Sequence, residues 1–199
     1  MPYKMIPKLV EFCREENILF MSSPFSVDDA KAIDPFTEIH KVASFEINHI
    51  KLLEFLASTK KPILISTGSS NYDEIDFCVN FLKEHNSGQI ILLQCTSKYP
   101  CSIESLNLSV IPKMKSKYNL PVGFSDHSVD PIVAPLTSIG LGATVIEKHF
   151  TLDKNLPGPD HFFALTPNEL KQMIDSIRNI ELAYGTGKKE VLEEEVKTR

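Results

Sequence analysis

Two histidines close two successive strand-like runs, Pro121-Val-Gly-Phe-Ser-Asp-His127 and Ala143-Thr-Val-Ile-Glu-Lys-His149. One helix-length segment, Val129 to Leu141, lies between them, closed by Gly140 and Gly142. A strand, a short crossover and a second strand make a parallel βαβ unit, which predicts that the two strands are neighbours. At a strand spacing of about 4.8 Å, both imidazoles can reach one divalent ion through bonds of about 2.0–2.2 Å. Two imidazoles do not complete a closed structural zinc site. They suit an open site, where water and substrate fill the remaining positions and a bound ion polarises a carbonyl. On donor chemistry alone Mn²⁺, Mg²⁺, Fe²⁺ and Zn²⁺ all fit.

Lys41 lies inside the apolar run Glu38–Ser44. A lysine buried there needs an anionic ligand or a carboxylate beside it. Ser44 and Glu46 follow at alternate positions and are read onto one face of the strand end; a Lys41–Glu46 ion pair without catalytic meaning is the plain alternative. Ser23, Ser66, Ser97 and Ser125 stand at the ends of other runs. Their hydroxyls are suitable donors to a phosphate, although a single serine in such a place is also an ordinary helix cap or turn residue. Together around one lysine they describe a phosphate pocket. The loop Leu156-Pro-Gly-Pro-Asp160 is stiffened by its prolines and holds Asp160 in a fixed direction. His40, His49 and His85 have no comparable context, and His161 only shares the Asp160 loop.

These residues must be positioned by a regular frame. Apolar, β-branched runs recur at Ile18–Ser23, Glu38–Ser44, Pro62–Thr67, Gln89–Thr96, Pro121–Asp126 and Ala143–His149. Continuous runs such as Ile90–Thr96 suit strands buried on both faces. Helical patterns alternate with them, at Ile6–Asn17, Ile50–Leu56 and Tyr72–Leu82. Thr166-Pro-Asn-Glu169 reads as a capping box, opening a helix that runs to about Tyr184 and stops at Gly185-Thr-Gly187. The alternation means a parallel α/β protein. No GxGxxG or GxxxxGK[ST] is present, so the commonest nucleotide-binding reasons for an open doubly wound sheet are missing. Reactive side chains at nearly every strand end favour a (β/α)8 TIM barrel instead. About six βα units are visible, so the expectation is a truncated barrel lacking its first two strands. Residues 1–187 form this partial barrel, and residues 188–199 form a charged linker or tail.

Bulk properties narrow the partners. The 199 residues suffice for one domain with a substantial core. A net charge of -5 argues against general binding to nucleic acid or anionic membranes, so an anionic substrate must rely on local lysines. No apolar run approaches the length of a membrane span, and no signal peptide opens the chain. Cys13, Cys78, Cys95 and Cys101 form no CxxC pair and read as small core residues in a reducing cytoplasm.

Taken in order, Ser22-Ser-Pro-Phe-Ser26, Lys41-Val-Ala-Ser-Phe-Glu46, Ile65-Ser-Thr-Gly68, Gln94-Cys-Thr-Ser-Lys-Tyr-Pro100, Gly123-Phe-Ser-Asp-His127, Glu147-Lys-His-Phe-Thr151 and Leu156-Pro-Gly-Pro-Asp160 closely resemble the N-acetylneuraminate (sialic acid) synthase family, with its legionaminate and pseudaminate synthase relatives. The resemblance covers roughly residues 5–190. It implies a (β/α)8 barrel that condenses phosphoenolpyruvate with an N-acetylated amino sugar such as N-acetylmannosamine, giving a nonulosonic acid and phosphate. His127 and His149 fall on the family's metal-ligand positions, with Mn²⁺ or a similar divalent cation the usual ion. Ser23, Lys41, Ser44, Ser66 and Ser125 match its phosphoenolpyruvate-binding positions. Ser97 stands at another of these, where some members carry Asn. Tyr99, Glu46 and Asp160 match positions facing the sugar or the reacting centre, so Lys41, Glu46 and Asp160 are the implied catalytic group.

The same resemblance implies parts without counterparts here. These are a catalytic glutamate and a second phosphate-binding lysine on the first two strands, and a C-terminal antifreeze-like domain that lends an arginine to the partner subunit's site in the family's homodimers. Two further readings therefore stand beside the synthase: a non-catalytic remnant that binds metal or phosphoenolpyruvate or pairs with a complementary fragment, and an unrelated metal-dependent barrel aldolase.

Overall fold

The computed structural model describes residues 2–199. Five parallel strands form one sheet: β1 (His40–Val42), β2 (Ile63–Ser66), β3 (Ile90–Cys95), β4 (Val122–Asp126) and β5 (Ile146–Lys148). Their order in space is their order in the chain. A doubly wound sheet reverses that order at a switch point, whereas a barrel wall adds each strand beside the last. The sheet is a curled, partial barrel of the TIM type. Strands β1 to β4 are buried almost throughout, as their unbroken apolar runs require.

Seven α-helices join or flank the strands. They are α1 (Ile6–Glu15), α2 (Val27–Ile33), α3 (Ile50–Ser58), α4 (Tyr72–Glu84), α5 (Val110–Tyr118), α6 (Val133–Gly140) and α7 (Pro167–Tyr184). Leu52, Leu53 and Leu56 of α3, Ile75, Val79 and Leu82 of α4, and Ile111 and Met114 of α5 pack onto the outer face of the sheet. The start of α4 follows from Asn71 and Glu74: the Asn71 side chain accepts from the Glu74 amide at 3.1 Å, and the Glu74 carboxylate accepts from the Asn71 amide at 2.8 Å. At α7 the Glu169 carboxylate takes both the amide and the hydroxyl of Thr166, at 2.8 and 2.9 Å. That helix ends at Tyr184, where Gly185 adopts φ 55°.

The sixth expected strand, Ile18–Ser23, does not form. Ile18 and Leu19 stay 64 % and 66 % exposed, and no ladder pairs this segment with β1. A strand of a parallel sheet needs a bonded neighbour and cover on its faces, and this segment has neither. Its backbone is held instead by Thr37, whose hydroxyl lies 3.2 Å from Phe20 O. Two helices, α2 and α5, go beyond the sequence expectation. For α2 the signal was present, because Ser26 caps it by accepting from the Asp29 amide at 3.1 Å.

Gly123 sets the approach of β5 to β4. A Cβ there would lie 2.5 Å from Val145 O and 2.6 Å from Leu93 Cδ2. The pairing at this point runs through Phe124 N to Val145 O at 2.8 Å. The 188–199 segment is exposed throughout and contains a short 3-10 turn at Glu193–Thr198. Among the described residues no helix is long and apolar enough to cross a membrane.

Candidate active site

The C-terminal strand ends open into a cavity of about 370 Å³. Register explains why separated residues meet there. Cys95 is paired with Ser125 across β3 and β4, and Ser125 with Glu147 across β4 and β5. Paired residues share a face, so a thiol, a hydroxyl and a carboxylate line one wall. Of the residues expected at the site, Ser23, Lys41, Ser44, Ser66, Tyr99, Ser125, His127 and His149 all line this cavity.

Lys41 is buried, at 4 % exposure. Its ammonium donates to Ser66 Oγ at 2.8 Å and to Val42 O at 3.2 Å, and lies 3.6 Å from the Glu147 carboxylate. The carboxylate that faces Lys41 is therefore Glu147 and not Glu46. Burial pulls the Lys41 pKa below its ordinary value, and Glu147 opposes the shift. Ser44 Oγ accepts from the Gly68 amide at 3.1 Å, which fixes the hydroxyl beside the end of β2. Gly68 must lack a side chain here, since a Cβ would fall 2.3 Å from Ser97 Oγ and 2.8 Å from Ser44 Oγ. Cys95 is part of the cavity floor; burial raises its pKa, so the thiol stays protonated.

Across the cavity the two imidazoles stand edge to face, with centroids 5.4 Å apart. Each follows directly on its strand, and the strands are adjacent as the βαβ spacing predicts. The ring of His127 is held by a 2.8 Å hydrogen bond between Nδ1 and Thr96 O. A carbonyl oxygen only accepts, so Nδ1 carries the proton and Nε2 keeps its lone pair. Burial lowers the His127 pKa, which keeps the ring neutral near pH 7. Tyr99 lies tilted over His127 with ring centroids 4.0 Å apart and Phe163 packs on His149 at 4.9 Å, forming an aromatic collar around the pair. Sequence reasoning missed Phe163, because only the tertiary fold brings it here.

This donor set fits an open divalent-ion site. One imidazole has its lone pair oriented by a carbonyl on its other nitrogen, as metal-ligating histidines require. The charged lining residues also balance: Lys41 and Lys148 face Glu147 and Asp126. An anion entering this cavity would need additional positive charge, which a divalent ion held by the two imidazoles would supply. Among the described residues no three His, Cys, Asp or Glu side chains converge into a closed ligand set.

Three expected residues lie outside the lining. Ser44–Glu46 is a 3-10 turn, not extended strand, so the alternate-position argument fails and Glu46 does not share the cavity with Ser44. Ser97 lines a neighbouring cavity with Thr67, Asn71 and Gln94, and its buried hydroxyl has no partner. Asp160 sits at the rim, with Oδ2 3.9 Å from His149 Nδ1, beyond hydrogen-bond reach. His161, without an assigned part in the sequence, ties this loop together through Thr151 Oγ1 at 2.7 Å.

The NeuB family model matches residues 1–189. The spore coat polysaccharide biosynthesis protein SpsE of Bacillus subtilis is 40 % identical over 94 % of this chain and 51 % of its own length. A pseudaminic acid synthase of Campylobacter jejuni is 40 % identical over 100 % of this chain and 58 % of its own. The crystal structure of an N-acetylneuraminic acid synthetase from Leptospira borgpetersenii, in complex with citrate, superposes with TM-score 0.92 at 36 % identity, covering 100 % of this chain and 69 % of that one. The chain spans about half the length of the curated relatives it matches.

Proposed function

The chain belongs to the NeuB family, and from that premise we propose that it forms the phosphoenolpyruvate and metal cavity of a nonulosonic acid synthase. Such an enzyme joins phosphoenolpyruvate to an N-acetylated amino sugar, N-acetylmannosamine or a related diacetamido hexose, and releases phosphate. One observation carries the reading. A buried, hydroxyl-bonded lysine and a pair of metal-competent histidines line the same cavity.

Lys41, with Ser44, Ser66, Ser125 and Ser23 around it, would hold the phosphate through charge-assisted hydrogen bonds. His127 and His149 would hold a divalent ion, Mn²⁺ or a relative such as Mg²⁺, which when bound polarises the aldehyde oxygen of the open-chain sugar. The methylene carbon of phosphoenolpyruvate attacks the aldehyde carbon and forms the new C–C bond. Positive charge develops at the phosphate-bearing carbon, water adds there, and C–O cleavage then releases phosphate. Tyr99 would offer a partly exposed ring to the sugar, and Asp160 at the rim would exchange a proton near it. Most of the rate enhancement then comes from orientation and fixed charge.

The test is incubation with phosphoenolpyruvate, Mn²⁺ and a panel of N-acetylated hexoses, following free phosphate. Release that depends on one sugar supports the synthase and names its acceptor. Consumption of pyruvate without phosphate release would identify an aldolase instead. No turnover with retained phosphoenolpyruvate binding would identify a non-catalytic binding unit.

A further inference from the structure

The least exposed ion pair of the cavity wall has no part in that chemistry. Lys148 Nζ lies 2.6 Å from Asp126 Oδ2, with side-chain exposures of 3 % and 0 %. The two residues are register partners at the ends of β5 and β4, and each directly precedes one of the two histidines. Asp126 Oδ1 also accepts from the Ser128 amide at 2.7 Å, and Lys148 Nζ donates to Ser128 O at 2.5 Å. The pair thus clamps the backbone on both sides of His127 to the residue before His149.

The clamp matters because the two rings are held unequally. His127 has Thr96 O to fix its ring. Among the described residues no hydrogen bond fixes the His149 ring, so its placement depends on the backbone that carries it. That backbone continues a three-residue, half-buried strand paired with β4, and beyond the strand it is tied to Leu165, whose amide donates to His149 O at 2.9 Å. A buried ion pair often adds little stability compared with apolar residues of the same volume, and in some proteins such pairs specify an arrangement instead. We propose that Asp126 and Lys148 are positioning residues that fix the separation of His127 and His149, and thereby set the affinity of the site for a divalent cation. This rests on the metal reading above.

The test is Mn²⁺ titration of the chain by electron paramagnetic resonance, with a thermal melt on each sample. The double variant Asp126→Asn/Lys148→Met removes both charges together and leaves neither buried alone. It is expected to fold and to bind Mn²⁺ about 10- to 100-fold more weakly, the range for supporting residues of metal sites. A melting temperature that shifts while the Kd stays within about threefold of the parent is what a merely structural pair would give, and it overturns the proposal. Should the double variant fail to fold, Lys148→Arg decides. It keeps the charge on a bulkier planar head and is expected to weaken Mn²⁺ more than about threefold; unchanged affinity overturns the proposal. His127→Ala and His149→Ala separate the two readings. If the unaltered chain binds no Mn²⁺, or binds it equally after these changes, the metal reading fails and the positioning proposal fails with it.

Discussion

Replacing Lys41 by methionine should separate function from stability. Lys41 is 4 % exposed, and its ammonium is bonded to Ser66 Oγ at 2.8 Å and only loosely paired with Glu147 at 3.6 Å. Its lowered pKa, caused first by burial, means that the charged form is less well served in the fold than in water. Methionine keeps most of the side-chain volume without the charge. The melting temperature of Lys41→Met is therefore expected to hold or rise. Binding of phosphoenolpyruvate should suffer, through loss of a charge-assisted hydrogen bond of about 1.5–3 kcal/mol. At about 1.4 kcal/mol per tenfold, that is roughly 10- to 150-fold in Kd. Calorimetric titration with phosphoenolpyruvate and a parallel melt read both quantities. The pH dependence has a definite sign. A lysine whose folded pKa lies below its ordinary 10.5 penalises the fold most below that folded value, and the penalty fades as pH rises toward 10.5. The parent should therefore gain stability relative to Lys41→Met across that window. A Kd within about threefold of the parent, or a melting temperature lowered by several degrees, would refute this reasoning.

Ser66→Ala removes the hydroxyl bonded to Lys41 and should weaken phosphoenolpyruvate binding by about 0.5–1.5 kcal/mol, roughly two- to twelvefold in the same titration. Gly123→Ala forces a methyl group against Val145 O and Leu93; chemical denaturation should show a loss of about 1–3 kcal/mol, and an unchanged midpoint would mean that β5 yields freely. His40, fully buried 3.1 Å from Asp34, has its pKa lowered below 6.5, mainly by burial. The unfolded chain then takes up that proton first, so stability is complete above pH 6.5 and falls as the pH drops through the folded value. Urea melts at a series of pH values should show this fall in the parent and a smaller one in His40→Asn.

Much of the site was legible because its chemistry is written at strand ends. The runs ending in His127 and His149 carried the parallel pairing that brings the two imidazoles side by side, and the apolar context of Lys41 predicted its burial. What escaped the sequence depends on register and on turns. The identity of the carboxylate facing Lys41 follows from the curl of the sheet, which brings Glu147 of β5 across to Lys41 of β1 at the other end of the strand order, and no local pattern encodes it. Glu46 was misplaced because alternation was extended past Val42, where the chain turns into a 3-10 helix. Ile18–Ser23 has the composition of a strand, yet composition does not supply a bonded neighbour.

On the proposed reading, one cavity binds both phosphoenolpyruvate and a divalent ion. The most direct measurement of this is the ³¹P linewidth of phosphoenolpyruvate as Mn²⁺ is added to the chain, because paramagnetic broadening falls steeply with distance. Broadening well beyond that in a protein-free control, and lost in both Lys41→Met and His127→Ala, is the predicted result. Equal broadening in the parent and in His127→Ala, or none beyond the control, would contradict it.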